Sequence, residues 1–173
     1  YKTVDSGVNW FSSNTGIFTN FEVDILLTDN GRILQAYGYP YGLNISTDDG
    51  ASWDQLTTGT TARQIVGLAK VGTSILGFGN GLIRSTDNGS TWTLLNTNSC
   101  YNFAVGSGPN VFSINNVFQN PGYVYAVSSS SDLGATVSTV NTTGLPNPNN
   151  SYIETGNFFA DTSNYLFLFI FDY

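Results

Sequence analysis

Two stretches decide the reading of this chain: Ser46-Thr47-Asp48-Asp49-Gly50-Ala51-Ser52-Trp53 and Ser85-Thr86-Asp87-Asn88-Gly89-Ser90-Thr91-Trp92. Each sets a hydroxyl, a carboxylate, a glycine and an indole at the same offsets. A looser copy opens the chain, Thr3-Val4-Asp5-Ser6-Gly7-Val8-Asn9-Trp10. A degenerate fourth, Ser130-Ser131-Asp132-Leu133-Gly134-Ala135-Thr136-Val137, carries Val in place of Trp. Successive copies end 43, 39 and 45 residues apart, the length of a four-stranded repeat unit. The chemistry at these offsets is that of a closed turn. Asp accepts hydrogen bonds from amides further along the turn, Gly supplies a positive φ, and Ser or Thr adds a second side-chain-to-backbone bond. Trp, with its large apolar area, anchors the strand that follows. On this reading Asp5, Asp48, Asp87 and Asp132 are structural acceptors, and Trp53 and Trp92 are buried. Calcium is the alternative ligand for carboxylates and carbonyls that converge at a turn, but each copy offers too few acidic ligands in a row.

The flanking sequence reads as strands. Phe21, Val23, Ile25 and Leu27 alternate with Glu22, Asp24 and Thr28, the period of a half-buried strand. Asp29-Asn30-Gly31-Arg32 has Asn-Gly at its centre and predicts a hairpin turn. Strands are predicted at 33–38, 43–47 and 53–56, then again at 63–70, 74–79, 82–86 and 92–95. A third unit starts near Phe103 and holds strands at 123–128 and 137–141. Only eight residues separate Val124 from Asp132, against twelve between Ile75 and Asp87. Either one strand there is short or the fourth copy is not a true repeat. The tail predicts two more strands, 152–159 and 165–173.

These residues resemble the Asp-box, S-x-D-x-G-x-T-W, of sialidase-type and other β-propellers. The resemblance implies an all-β fold of four-stranded antiparallel blades, at about 18–56, 62–98, 102–143, and 152–173 plus 1–14. Asp5, Gly7, Trp10, Ser46, Asp48, Gly50, Trp53, Ser85, Asp87, Gly89, Trp92, Asp132 and Gly134 carry the box pattern. The box is specific for a turn and a fold and weak for function. The two ends supply complementary halves of one blade, so pairing of Tyr1–Asp5 with Tyr165–Tyr173 would close four blades. Completion by another chain or by further parent sequence is the alternative. Left open, the apolar run from Leu166 to Phe171 is an aggregation hazard.

Composition narrows the function. Charged residues make up 10% of 173 and the net charge is −7. Lys2, Arg32, Arg63, Lys70 and Arg84 are scattered, whereas a phosphate backbone needs clustered cations. Nucleic acid and anionic membranes are therefore not expected partners. With no histidine, His-based triads and His-ligated zinc are excluded. Cys100 is the only cysteine, so no internal disulfide or thiolate cluster forms, and it is read as a small buried hydrophobe. No cofactor and no metal are expected. No apolar run reaches the roughly 18 residues of a membrane span. The absence of Met is expected of a processed or excised piece.

Catalysis finds no support in the residues. The sialidase resemblance would imply three arginines gripping a carboxylate, a Tyr nucleophile with a Glu partner, and an Asp acid/base. Only three arginines exist, and Arg84 leads into a box. Retaining or inverting glycosidases need paired carboxylates, and nothing pairs Glu22, Asp24, Asp29, Asp49, Asp54, Glu154, Asp161 or Asp172. Glu22 and Asp24 are read as a solvated strand face. Gly77-Phe78-Gly79-Asn80-Gly81 lacks the Lys and the helix of a phosphate loop and is read as close backbone approach. N-x-S/T occurs at Asn44, Asn88, Asn141 and Asn149, a number that an Asn- and Ser-rich chain reaches by chance. The remaining candidate is the face opposite the boxes, with Tyr39, Tyr41 and Tyr101 as binding residues, because Tyr offers rigid area with a polar end. Ordinary loop composition explains the same tyrosines. The expectation is a non-catalytic secreted or cell-surface propeller that binds a protein or glycan, displays, or serves as structure. The alternative is a fragment of a glycan-cleaving enzyme whose catalytic residues lie outside this chain.

Overall fold

The computed structural model describes residues 1–17, 22–37, 42–56, 63–100, 102–120, 122–146, 151–152, 158–169 and 171–172. The described secondary structure is strand and turn. No helix there is long and apolar enough to cross a membrane. The chain divides into two compact units, Tyr1–Gly77 with Ile83–Thr93, and Phe78–Leu82 with Leu94–Tyr173.

In the first unit β1 (Glu22–Leu27), β2 (Ile33–Tyr37), β3 (Gly42–Ser46) and β4 (Asp54–Leu56) form one antiparallel meander in chain order. The β1–β2 turn closes as its Asn-Gly centre predicts, with Gly31 at φ 81° and the Thr28 amide donating to the Arg32 carbonyl at 2.9 Å. The inward face of β1 reverses the expected one. Ile25 and Leu27 are 53% and 65% exposed, whereas Thr28 is buried. The Thr28 hydroxyl accepts from the Arg32 amide at 3.0 Å, so burial leaves it satisfied. The register shifts between Glu22 and Asp24, and a bulge resets which face a side chain takes. Asp24 is not a solvated carboxylate: it accepts from the Leu68 amide of β5 (Ile65–Val71) at 2.8 Å. Lys70 pairs with Asp29 alongside.

Next in sequence, β5 joins β6 (Ser74–Ser85) and β7 (Thr93–Ser99) in a second sheet, ordered β5-β6-β7. A straight strand would put Gly77 and Ile83 roughly 20 Å apart. Instead a Cβ on Gly77 would lie 3.0 Å from the Ile83 side chain. So β6 doubles back, with Gly81 at φ 115°, and supplies the two arms expected at 74–79 and 82–86. The core of the first unit is built from Leu34, Ala36, Leu43, Ile65, Ile75 and Ile83, all 0–1% exposed.

The second unit contains the four-stranded sheet β8 (Asn102–Val105), β9 (Val111–Gln119), β10 (Gly122–Ser130) and β11 (Ser138–Val140). The sequence reading missed β9. Its polar run Ser113-Ile114-Asn115-Asn116 lacks a strong strand signal, yet it pairs with β10 over nine positions. That resolves the short spacing before Asp132: Val124 lies in the third strand of its sheet, not the second. Ala104, Ile114, Tyr125, Val127 and Phe158 form the buried core, with Phe112, Leu166 and Leu168 packed on it.

The tail folds on itself. In β13 (Phe158–Ala160) and β14 (Leu166–Leu168), Phe158 pairs with Leu168 and Ala160 with Leu166. Further out, β12 (Ser151–Tyr152) pairs with β15 (Phe171–Asp172). At the other end, Lys2 pairs with Phe11. Of the segment expected to close the ring, Ile170 and Tyr173 lie outside the described residues.

Candidate functional site

The repeated turns are the most sharply defined feature of the chain, and they share one hydrogen-bond scheme. At Asp48, Oδ1 accepts from the Ser46 hydroxyl at 2.9 Å and from the Ser52 amide at 2.8 Å. Oδ2 accepts from the Ser52 hydroxyl at 2.6 Å. The Ser46 hydroxyl in turn accepts from the Gly50 amide at 2.8 Å. Asp87 repeats this with Ser85, Gly89 and Thr91. The loose first copy does the same with Thr3, Gly7 and Asn9, where the Asn9 side-chain amide replaces the hydroxyl donor at 2.6 Å. The degenerate fourth does so with Ser130, Gly134 and Thr136. Backbone conformation repeats as well. Ser6, Asp49, Asn88 and Leu133 have φ between 55° and 59°, followed by Gly7, Gly50, Gly89 and Gly134 between 78° and 91°. At the last position a Cβ would also collide: on Gly89 it would meet Leu34 at 2.8 Å, and on Gly134 it would strike Leu82.

These bonds favour the ionised carboxylate. The Asn9 amide, helped by the Asn9 side chain and the Thr3 hydroxyl, lowers Asp5 to about 2. The Ser52 hydroxyl and amide lower Asp48 to about 2, and the Thr136 amide and hydroxyl lower Asp132 to about 2. At Asp87 burial opposes the shift, but the Thr91 and Ser85 donors outweigh it and bring the group to about 2. A carboxylate held so is a poor general acid at neutral pH. Both oxygens are already occupied by donors of their own turn.

The indoles behave less uniformly than the sequence implies. Trp53 is buried at 8% exposure and donates to the Ser13 carbonyl at 2.9 Å. Trp92 is only half-buried and bonds the Gly89 carbonyl of its own turn at 3.0 Å. Trp10 is 61% exposed and bonds Gly7 likewise. Trp53 differs because residues 13–16 lie over it. The Trp53 amide donates to the Thr15 carbonyl at 2.9 Å, and Gly16 approaches so closely that a Cβ would strike the Trp53 carbonyl.

The expected binding residues Tyr39, Tyr41 and Tyr101 lie outside the described residues. Among the described residues no group of three or more His, Cys, Asp or Glu could hold a metal ion. Cys100 is buried, and burial pushes its thiol up to about 12, away from nucleophilic use. Of the N-x-S/T asparagines, Asn44 is 0% exposed and gives its amide to Gln35 at 2.7 Å, so it is no glycan acceptor. Asn141 is exposed. One organising turn was overlooked. Asp161 Oδ1 accepts from the Ser163 and Tyr165 amides at 2.8 Å each, and Asn164, at φ 63°, accepts from the Ser107 amide at 2.8 Å. The Asp-Thr-Ser-Asn run there is a turn signal that could have found it.

No family model and no curated protein matches the chain. Solved structures do. An ancestral GH74 enzyme is 16% identical over 79% of this chain and 23% of its own, with a TM-score of 0.59. YCF48 from Cyanidioschyzon merolae is 12% identical over 91% of this chain and 53% of its own, with a TM-score of 0.50. Both are β-propeller proteins, and the chain has their all-β fold of antiparallel sheets. It spans about a quarter of the first and about half of the second.

Proposed function

We propose that this chain is a non-catalytic segment of an Asp-box β-propeller that acts as a binding, display or structural module of an extracellular or cell-surface protein. The observation that carries the reading is the use made of seven of its twelve carboxylates. Asp5, Asp48, Asp87 and Asp132 each spend both oxygens inside their own turns. Asp24 and Asp161 accept backbone amides, and Asp29 pairs with Lys70. Acids committed to the scaffold in this way are not poised for proton transfer. The extracellular location is supported by the Asp-box resemblance.

The second reading, a piece of a glycan-cleaving propeller enzyme, is supported by the shared fold with the GH74 enzyme. It requires the catalytic carboxylates to lie outside this chain. Incubation with sialosides and β-glycans separates chemistry from scaffold. No turnover is expected. Turnover abolished by one carboxylate substitution overturns the non-catalytic reading.

A further inference from the structure

The second unit holds a cleft that the fold does not explain. It runs from the turn at Ser130–Val137, along β9 and β10, to the end of β7, with a volume of about 60 Å³. At roughly 10–15 Å³ per water site, that is room for about four to six heavy atoms. Drug-sized pockets start at roughly 300 Å³, so this cleft admits a small molecule or one edge of a larger one. Leu82, Phe103, Val111 and Val137 make its apolar wall. Phe103 is held in place by stacking on Phe78 at 4.7 Å between ring centres.

The polar lining is uniform in kind. It consists of amides and hydroxyls, including Asn96, Asn98, Asn115, Ser113 and Ser128, and not one lining residue is charged. Asn115 is fixed by its bond to the Ser99 carbonyl at 2.9 Å. The side chains of Asn98 and Ser128 have no hydrogen-bond partner among the described residues. An amide presents donors and acceptors side by side, and a hydroxyl does both with one atom. The complement is a ligand whose own groups both donate and accept. An anion would find no cation here, and a cation no carboxylate. The apolar wall asks for C–H surface beside those groups.

From this lining we infer that the cleft binds one edge of a neutral sugar unit, its hydroxyls lying between Asn98 and Ser128 and its C–H surface against Phe103. The inference deepens the binding reading above and rests on it. The source of the sugar, free monosaccharide or terminal unit of a glycan, is a matter for the test.

The test is an NMR titration of the whole chain with glucose, galactose and N-acetylglucosamine, with sialic acid as the anionic control and a neutral glycan array as the second arm. Saturable millimolar shifts of the Asn98 side-chain amide and of the Ser128 amide are expected with a neutral sugar. Asn98→Ala, an exposed position, should keep its far-ultraviolet dichroism and weaken binding at least about tenfold, the loss of roughly one hydrogen bond in a binding site. Ser128→Leu, which fills the cleft, should abolish it. Array binding without monosaccharide shifts assigns the site to a glycan terminus and supports it, provided Asn98→Ala removes it. The inference is overturned if no neutral sugar or glycan binds, if Asn98→Ala binds as well as the parent, or if only sialic acid binds. A silent cleft leaves the non-catalytic reading standing, and turnover in the hydrolase assay overturns that reading without touching the cleft.

Discussion

The indole Nε1 of Trp53 donates to the carbonyl oxygen of Ser13, forty residues earlier in the chain, whereas the indoles of Trp10 and Trp92 bond the glycine carbonyl of their own turns. One motif thus yields a tertiary anchor in one copy, while in two others the indole also braces its own turn. Trp53→Ala should therefore cost about 3–5 kcal/mol, the range for truncating a large core aromatic. Trp92→Ala should cost less, and Trp10→Ala only about 0.5 kcal/mol, as for a surface change. Urea unfolding of the three variants measures the order. Equal losses at Trp53 and Trp92 would contradict it.

The aspartates of the four turns make stability depend on acid. Their folded-state values of about 2 lie below the ordinary value of about 3.9 that the unfolded chain keeps. The unfolded state therefore binds protons first as pH falls. The stabilisation is complete above about pH 4 and is lost progressively as pH drops toward 2. The melting temperature should be flat near neutrality and fall through that window. Asp48→Asn should melt lower at pH 7 and lose less on acidification. A variant whose melting temperature falls as steeply as the parent's would remove Asp48 from the account.

Leu133 occupies the left-handed position that Ser6, Asp49 and Asn88 hold in the other turns. A left-handed conformation costs an ordinary L-residue roughly 1–2 kcal/mol, and Asn bears it better. Leu133→Asn should stabilise by about 1 kcal/mol, a gain of about 2–4 °C in melting temperature for a chain of this size. Calorimetry decides. A drop would mean that the packing of the half-buried leucine outweighs its backbone strain.

Expression through a secretory pathway should leave Asn44 unmodified in folded material, because it is fully buried and bonded to Gln35. Asn141, which is exposed, should be accessible to modification. Peptide mass mapping reads both sites directly, and a glycan on Asn44 of folded protein would be incompatible with the β2–β3 pairing described here.

The repeat was legible because a box turn is a local object. Hydroxyl, carboxylate and glycine within five residues close their own hydrogen bonds, so Asp5, Asp48, Asp87 and Asp132 could be located by spacing alone. The Asn-Gly hairpin at Asn30 and the antiparallel order of β1 to β4 follow from equally local rules. Local sequence rules therefore dictate the set of turns, their spacing and the all-β class. Other features depend on surfaces brought together from far apart. Whether a boxed indole is buried depends on a segment forty residues away passing over it. Which face of β1 points inward depends on a bulge and on the Asp24–Leu68 bond to another strand. The polar strand β9 is held by its long pairing with β10, which no window along its own sequence reveals. The cleft beside Asn98 exists only because β7 and β10 lie near each other, since burial and hydrogen-bond satisfaction are properties of the assembled unit and not of any residue in it.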